Sequence, residues 1–189
     1  MAISLITPPA VQPVSLADAK AHLRVEHADD DAHLTALIAQ ATTHLEALSG
    51  LKLITQTHRV YFDLAPGDRI FELPLRPIQS VAEARIFDAA GDPVIADLTD
   101  AELDRFAFPG RLLISEVLCP ADRFNGIEID VVAGFGVAGS DVPGNLMRAL
   151  MTIIAHWYEF RGAIEPADPT LPDPAGLERL IAPYRSRRL

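Results

Sequence analysis

The spacing of the hydrophobic residues changes twice along this chain, and that change constrains the fold more than any single motif. In residues 16–48 apolar side chains recur every three or four positions, which is typical of amphipathic helices. From about Ile54 to Ala133 they fall in short runs divided by turn residues, which is typical of strands. After Pro143 a long apolar helix is predicted. The pattern predicts an α+β fold: a small helical bundle, made of N-terminal helices and a long C-terminal helix, with an inserted antiparallel β module.

We expect four segments along the chain. An N-terminal arm and two helices occupy residues 1–53, and the β module occupies residues 54–137. A long helix that packs on the N-terminal helices occupies residues 138–165, and a Pro-rich segment, a short helix and a basic tail occupy residues 166–189. Ser15 and Asp18 predict the cap of the first helix, and Gly50 predicts the end of the second. The prolines in residues 1–14 predict an extended arm, whereas residues 94–110 give no clear assignment.

The charge of the chain is negative but uneven. The formal net charge is −10; residues 179–189 contribute +4, so residues 1–178 carry −14. Such an acidic body repels nucleic acid phosphates, which argues against a general DNA-binding surface. The cationic end is either a docking element or a solvated terminus. The single cysteine, Cys119, cannot form an internal disulfide, and no signal peptide or membrane span is predicted.

A glycine motif at residues 134–139 matches the dinucleotide fingerprint Gly-x-Gly-x-x-Gly. In that fingerprint the helix begins inside the motif, so that its N-terminus faces the pyrophosphate. Here Pro143 places the helix start after the motif, Asp141 adds a repelling charge, and no second strand remains to complete a βαβ unit. We therefore interpret Gly134–Gly139 as a connection between a strand and a helix, with a nucleotide-binding enzyme as the alternative.

No other pattern predicts bond-making chemistry. The six histidines show no helical metal-ligand spacing, and the acidic run at residues 29–31 is a helix start rather than a calcium loop. Nucleophile and phosphate-loop motifs are absent from the sequence. We expect no catalytic residue, no cofactor and no metal. On the last long helix, His156, Trp157, Tyr158 and Glu159 are candidates for packing between subunits.

Several stretches, in order, resemble a known family. They are residues 15–25 (SLADAKAHLRV), the acids at 29–31, residues 53–57 and 73–81, residues 132–136 with Pro143, AHWYEFRG at 155–162, and residues 180–185. The order resembles that of the head–tail connector, or adaptor, proteins of long-tailed bacteriophages and gene transfer agents, in the larger form with an inserted β region. Residues 94–125 match poorly.

The resemblance implies a structural protein of the particle neck, assembled in the bacterial cytoplasm and without enzymatic activity. Such adaptors form rings, commonly of twelve copies, below the portal, and they extend the DNA channel towards a stopper protein and the tail. The expected partners are the portal protein, the tail-side connector and other copies of the chain. Double-stranded DNA would pass through without specific binding, and no membrane is involved. The alternative is a non-viral cytoplasmic scaffold module.

Within that reading, the basic tail is the candidate for contact with the portal. The only dense cationic cluster of the sequence consists of Arg185, Arg187 and Arg188, and Tyr184 directly precedes it. These four residues are the docking candidates. An acidic portal surface would be a suitable partner for them.

Overall fold

The computed structural model describes residues 2–63, 69–88, 90–114, 124–160 and 173–185. The chain divides into two compact units. Residues 1–10 and 55–135 form the first, here called the β unit, and residues 11–54 and 136–189 form the second, here called the helical unit. The predicted α+β fold with an inserted antiparallel β module is confirmed. The four segments predicted from the sequence divide the chain more finely and stay a prediction.

The β unit contains two antiparallel sheets. Its strands are β1 (Ala2–Thr7), β2 (Gln56–Phe62), β3 (Ile70–Leu73), β4 (Ile78–Phe87), β5 (Pro93–Ile95), β6 (Glu102–Asp104), β7 (Gly110–Leu113) and β8 (Ile127–Ala133). The larger sheet has the order β1-β2-β8-β4-β5, and the smaller sheet has the order β3-β7-β6. Every strand pair is antiparallel.

The two sheets share one hydrophobic core. Alternate residues of β8, from Ile127 to Ala133, are fully buried, as the two-residue period of a strand requires. They pack in one cluster with Phe71 and Leu112 of the smaller sheet. The rings of Phe62 and Phe71 meet edge to face at 5.1 Å between centroids. The opposite face of the larger sheet is polar.

The helical unit contains four α-helices: α1 (Leu16–Leu23), α2 (Asp31–Ser49), α3 (Gly144–Glu159) and α4 (Leu177–Ile181). As predicted, Ser15 caps α1, because its hydroxyl oxygen accepts a hydrogen bond from the backbone N–H of Asp18 at 3.1 Å. Gly50 ends α2 in the left-handed conformation, with φ 69°. The apolar faces of α2 and α3 form the core, with Leu34, Leu45, Leu146 and Leu150 fully buried.

Two parts of the sheet differ from the sequence-based expectation. Residues 2–7, expected as part of an extended arm, are the edge strand β1, paired with β2. The unassigned region 94–110 contains most of β5 and all of β6. Pro143 is the N-cap residue of α3, so the long helix begins after it, as expected. The helix ends at Glu159, and residues 161–165 of the predicted segment lie outside the described residues.

Candidate functional site

The glycine motif links β8 to α3 and is filled by the chain's own atoms. Gly134 has a φ of 135°, which disfavours a side chain. A Cβ at Gly136 would lie 2.2 Å from a carboxylate oxygen of Asp141. That oxygen accepts a hydrogen bond from the backbone N–H of Ala138 at 2.9 Å. Gly136 therefore makes room for Asp141, a negatively charged group, where a dinucleotide fingerprint would leave backbone N–H groups for a pyrophosphate.

Gly139 has a similar role inside the helical unit. A Cβ there would lie 2.1 Å from the backbone carbonyl oxygen of Pro13. The helix α3 begins only at Gly144, after a short 3-10 turn at Gly139–Asp141. The geometry supports the interpretation of this motif as a strand-to-helix connection, in which glycine permits close backbone approach.

We expect Gly139→Ala to lower the free energy of unfolding by about 1–3 kcal/mol, because a backbone carbonyl must move to admit the methyl group. The matched control is Gly144→Ala at the start of α3, where an added Cβ meets nothing within 4 Å. There alanine should be neutral or stabilise by about 0.4–1 kcal/mol. Urea unfolding followed by circular dichroism measures both. Equal stabilities for the two variants would contradict the close approach.

An ion-pair network covers the polar face of the larger sheet. Asp130 on β8 accepts two hydrogen bonds from Arg59 on β2, at 2.7 and 3.0 Å, and one from Arg85 on β4 at 3.3 Å. Glu128 pairs with Arg59 at 2.9 Å, and Glu83 pairs with Arg85. The network ties three adjacent strands together on the side away from the core.

The network raises the pKa of Arg59. The hydrogen bond to Asp130 is the main reason why the pKa of Arg59 is raised, against the opposing effect of partial burial. An arginine side chain is protonated in proteins in any case, so the shift adds to a charge that is already present. The arrangement holds two cations and three acids at fixed positions, which suits a structural role.

The predicted subunit-packing residues make contacts within their own unit. The Tyr158 hydroxyl donates to Asp30 at 2.5 Å, and the Trp157 ring lies 5.2 Å from that of His44. His156 packs against Phe160, with centroids 4.8 Å apart, and Glu159 is exposed. Packing of these residues against another subunit stays a prediction.

The predicted portal-docking residues are only partly described. Tyr184 is half-buried in a 3-10 turn, Ala182–Tyr184, that follows α4. The guanidinium of Arg185 donates to both carboxylate oxygens of Glu178, and the distance from Nη2 to Oε1 is 3.0 Å. Arg187 and Arg188 lie outside the described residues. The structure thus places two of the four candidates together at the end of the helical unit.

A surface feature that the sequence did not predict lies in the turn between β6 and β7. Phe106 is almost fully exposed there, and the guanidinium of Arg76 stacks on the ring of Phe108 at 4.0 Å. Burial lowers the pKa of Arg76. Asp104 holds the turn, since its side chain accepts from the backbone N–H groups of Phe106 and Ala107. The hydrogen bond from Arg111 is the main cause of the lowered pKa of Asp104.

Within the ranges that the structure describes, no three His, Cys, Asp or Glu side chains lie together in a way that suits a metal ion. No helix in those ranges has both the length and the hydropathy that a bilayer crossing requires.

Comparisons with known proteins agree with this architecture. Residues 13–86 match the family model of phage gp6-like head–tail connector proteins. No curated protein matches the chain. A chain from the neck of an empty gene transfer agent particle, solved with C6 symmetry, is similar over 100% of this chain and 97% of its own length, with a TM-score of 0.82 and 25% identity.

Two further solved chains are similar. One, from the virion of a native gene transfer agent particle, has a TM-score of 0.78 and 27% identity. The other, from the neck of a native particle solved with C12 symmetry, has a TM-score of 0.77 and 26% identity. Each match covers 100% of this chain and 97% of the other. The fold thus resembles that of chains from gene transfer agent particles, and part of the sequence matches head–tail connector proteins. The resemblance to head–tail connector proteins that the sequence predicted is confirmed.

Proposed function

We propose that this chain forms a ring below the portal, extends the DNA channel and joins the filled capsid to the stopper and tail of a phage or gene transfer agent. The observation that carries the proposal is the likeness, over the full length of this chain, to chains from the neck of gene transfer agent particles. The proposed location is the particle neck, after assembly in the bacterial cytoplasm.

The ring is proposed to contain twelve copies. The related necks were solved with C6 and with C12 symmetry, and both are cyclic. In a closed cyclic ring each subunit meets its neighbours through two different surfaces. Helix faces that carry His156, Trp157, Tyr158 and Glu159 are our candidates for part of this contact. Phe160, which follows them, is exposed and apolar.

The charge of the chain suits a conduit for DNA. Residues 1–178 carry a formal charge of −14. A negative lumen repels phosphates, so DNA passes through without being held. We propose no specific contact with DNA.

We further propose that the chain works without catalysis. The sequence motif that most resembles a cofactor site is packed by Asp141 and by the Pro13 carbonyl oxygen. A connector requires only defined surfaces and stable subunits, and the ion-pair network on the larger sheet contributes to such stability.

Docking to the portal is assigned to Tyr184, Arg185, Arg187 and Arg188. The pair between Arg185 and Glu178 is exposed to solvent. Exposed pairs are worth about 0–1 kcal/mol, so an acidic portal group can replace Glu178 at little cost. The stopper or tail-side connector would bind elsewhere on the ring.

The test is the state of the chain before and after assembly. We expect the purified chain to be monomeric or weakly associated in mass photometry, and to form a ring when it is mixed with portal. Cryo-EM of assembled particles should show the ring at the neck, between portal and tail. A particle neck that contains no copy of this chain would overturn the proposed function.

A further inference from the structure

The larger sheet of the β unit has two open edges, and both are apolar. At one edge, β1 reads Ala-Ile-Ser-Leu-Ile-Thr and carries no charge. Ile3 is 44% exposed and Leu5 is 50% exposed. At the other edge, β5 exposes Val94 at 54% and Ile95 at 67%. Within the described residues, no strand pairs with the outer side of either one.

Edges of this kind normally carry a protective charge. A strand edge presents unpaired N–H and C=O groups, and proteins block unwanted pairing with charged residues, proline or a covering segment. The smaller sheet follows this rule, since its edge strands carry Glu72 on β3 and Glu102 and Asp104 on β6. On the larger sheet, Pro93 removes one donor at the start of the short strand β5, whereas β1 contains neither a charged residue nor a proline. The larger sheet is thus the one left open for pairing.

The side chains at the two edges match when one sheet continues into another. Ile3 and Leu5 lie on the core face, because they are paired with Val60 and His58 of β2. Val94 lies on the same face, since it is paired with Ile86, which packs against the core. Ser4 and Ile95 lie on the polar face, opposite Arg59 and Arg85. On the core face, pairing would therefore cover apolar side chains with apolar side chains.

We infer that β1 of one copy pairs with β5 of the next copy, so that the larger sheets of adjacent subunits join edge to edge. The inference rests on the proposed ring, because a cyclic assembly needs two different surfaces that fit each other. The β1 edge of each copy is thus covered by the β5 edge of a neighbouring copy.

The strand count also fixes the direction of the new pair. The sheet has five strands and all its neighbours are antiparallel, so β1 and β5 point the same way. In a ring of twelve copies the rotation between neighbouring subunits is small, so it nearly keeps the direction of the strands. The contact between β5 and the next β1 is therefore parallel, in an otherwise antiparallel sheet.

The experiment uses paired cysteines in assembled particles. Cys119→Ser provides the background, and Ser4→Cys and Ile95→Cys place thiols on the same face of the two edges. A short bismaleimide cross-linker, which tolerates a small shift in register, is added to purified particles. We expect a ladder of covalent oligomers with the double variant and only monomer with either cysteine alone. A neck with normal copies of the double variant but no ladder would overturn the inference.

A second pair of variants measures the contribution to assembly. Leu5→Lys places a charge on the paired edge, whereas Val11→Lys alters an equally exposed residue outside the sheet, at 46% exposure. We expect Leu5→Lys to reduce the copies per particle at least tenfold and Val11→Lys to leave them unchanged. Equal incorporation of the two would contradict the pairing.

A cryo-EM map of the wild-type neck separates this inference from the proposed function. A ring of this chain whose β1 is unpaired, or is paired with a strand of the portal or stopper, refutes the inference and leaves the proposed function intact. A neck without this chain refutes the proposed function and the inference with it.

Discussion

Asp130→Ala should lower the free energy of unfolding of the β unit by about 3 kcal/mol, at the lower end of the range for breaking a buried ion pair. The Asp130 side chain is 10% exposed, and it accepts from Arg59 and Arg85 on the strands at either side. Its removal leaves two guanidiniums that share only Glu128 and Glu83. The loss is large because two partly buried cations lose the acceptor that they share most directly.

The matched control is Arg111→Gln in the same unit. Arg111 also pairs with an aspartate, Asp104, but its side chain is 57% exposed. Exposed pairs contribute about 0–1 kcal/mol, so this variant should unfold almost like the wild type. Urea unfolding followed by circular dichroism measures the free energy of unfolding of both variants. If Asp130→Ala and Arg111→Gln cost the same, the network does not stabilise the sheet.

The sequence predicted the elements that bury one face, because such burial gives the hydrophobic residues a regular spacing. α2 is amphipathic, and its apolar residues at helical spacing are the ones buried against α3. The strands Ile70–Leu73 and Ile127–Ala133 lie within the region that the sequence predicted to be rich in strands, and one face of each is in the core. The order of the recognisable stretches also indicated the family, although each stretch alone is weak.

The elements that the sequence missed are held by their neighbours rather than by their own pattern. β1 is mostly exposed and has no buried face to produce alternation, so only its pairing with β2 makes it a strand. β5 and β6 have three residues each, which is too short for any period to be read. The prolines that follow β1 at positions 8, 9 and 13 suggested an arm where the chain forms a strand first.

The candidate site was predictable in chemistry but not in geometry. The sequence showed, through Pro143, that the helix begins after Gly134–Gly139 rather than inside it. This position argued for a strand-to-helix connection, which the structure contains. The network around Asp130 was not visible, because Arg59, Arg85 and Asp130 are far apart in the chain and meet only through strand register. Cross-strand pairs of this kind depend on the topology of the sheet.

Deletion of residues 185–189 should produce filled heads without tails. These residues include Arg185, Arg187 and Arg188, which we assign to an acidic surface of the portal. A desolvated charge-assisted hydrogen bond contributes about 1.5–3 kcal/mol, so the loss of even one reduces affinity about tenfold or more. Negative-stain electron microscopy counts tailed and tailless particles, and transduction or gene transfer measures function.

Two further variants separate charge from bulk at this docking site. Replacement of the three arginines by glutamine keeps the chain length and should reproduce the deletion, whereas replacement by lysine keeps the charge and should recover part of the tailed particles. Glu178→Gln, which frees Arg185 from its exposed partner, should leave assembly unchanged or improve it, because the guanidinium no longer has to be withdrawn from a carboxylate. Normal transfer by the deletion variant would exclude the tail from portal docking and would assign that contact to another surface of the ring.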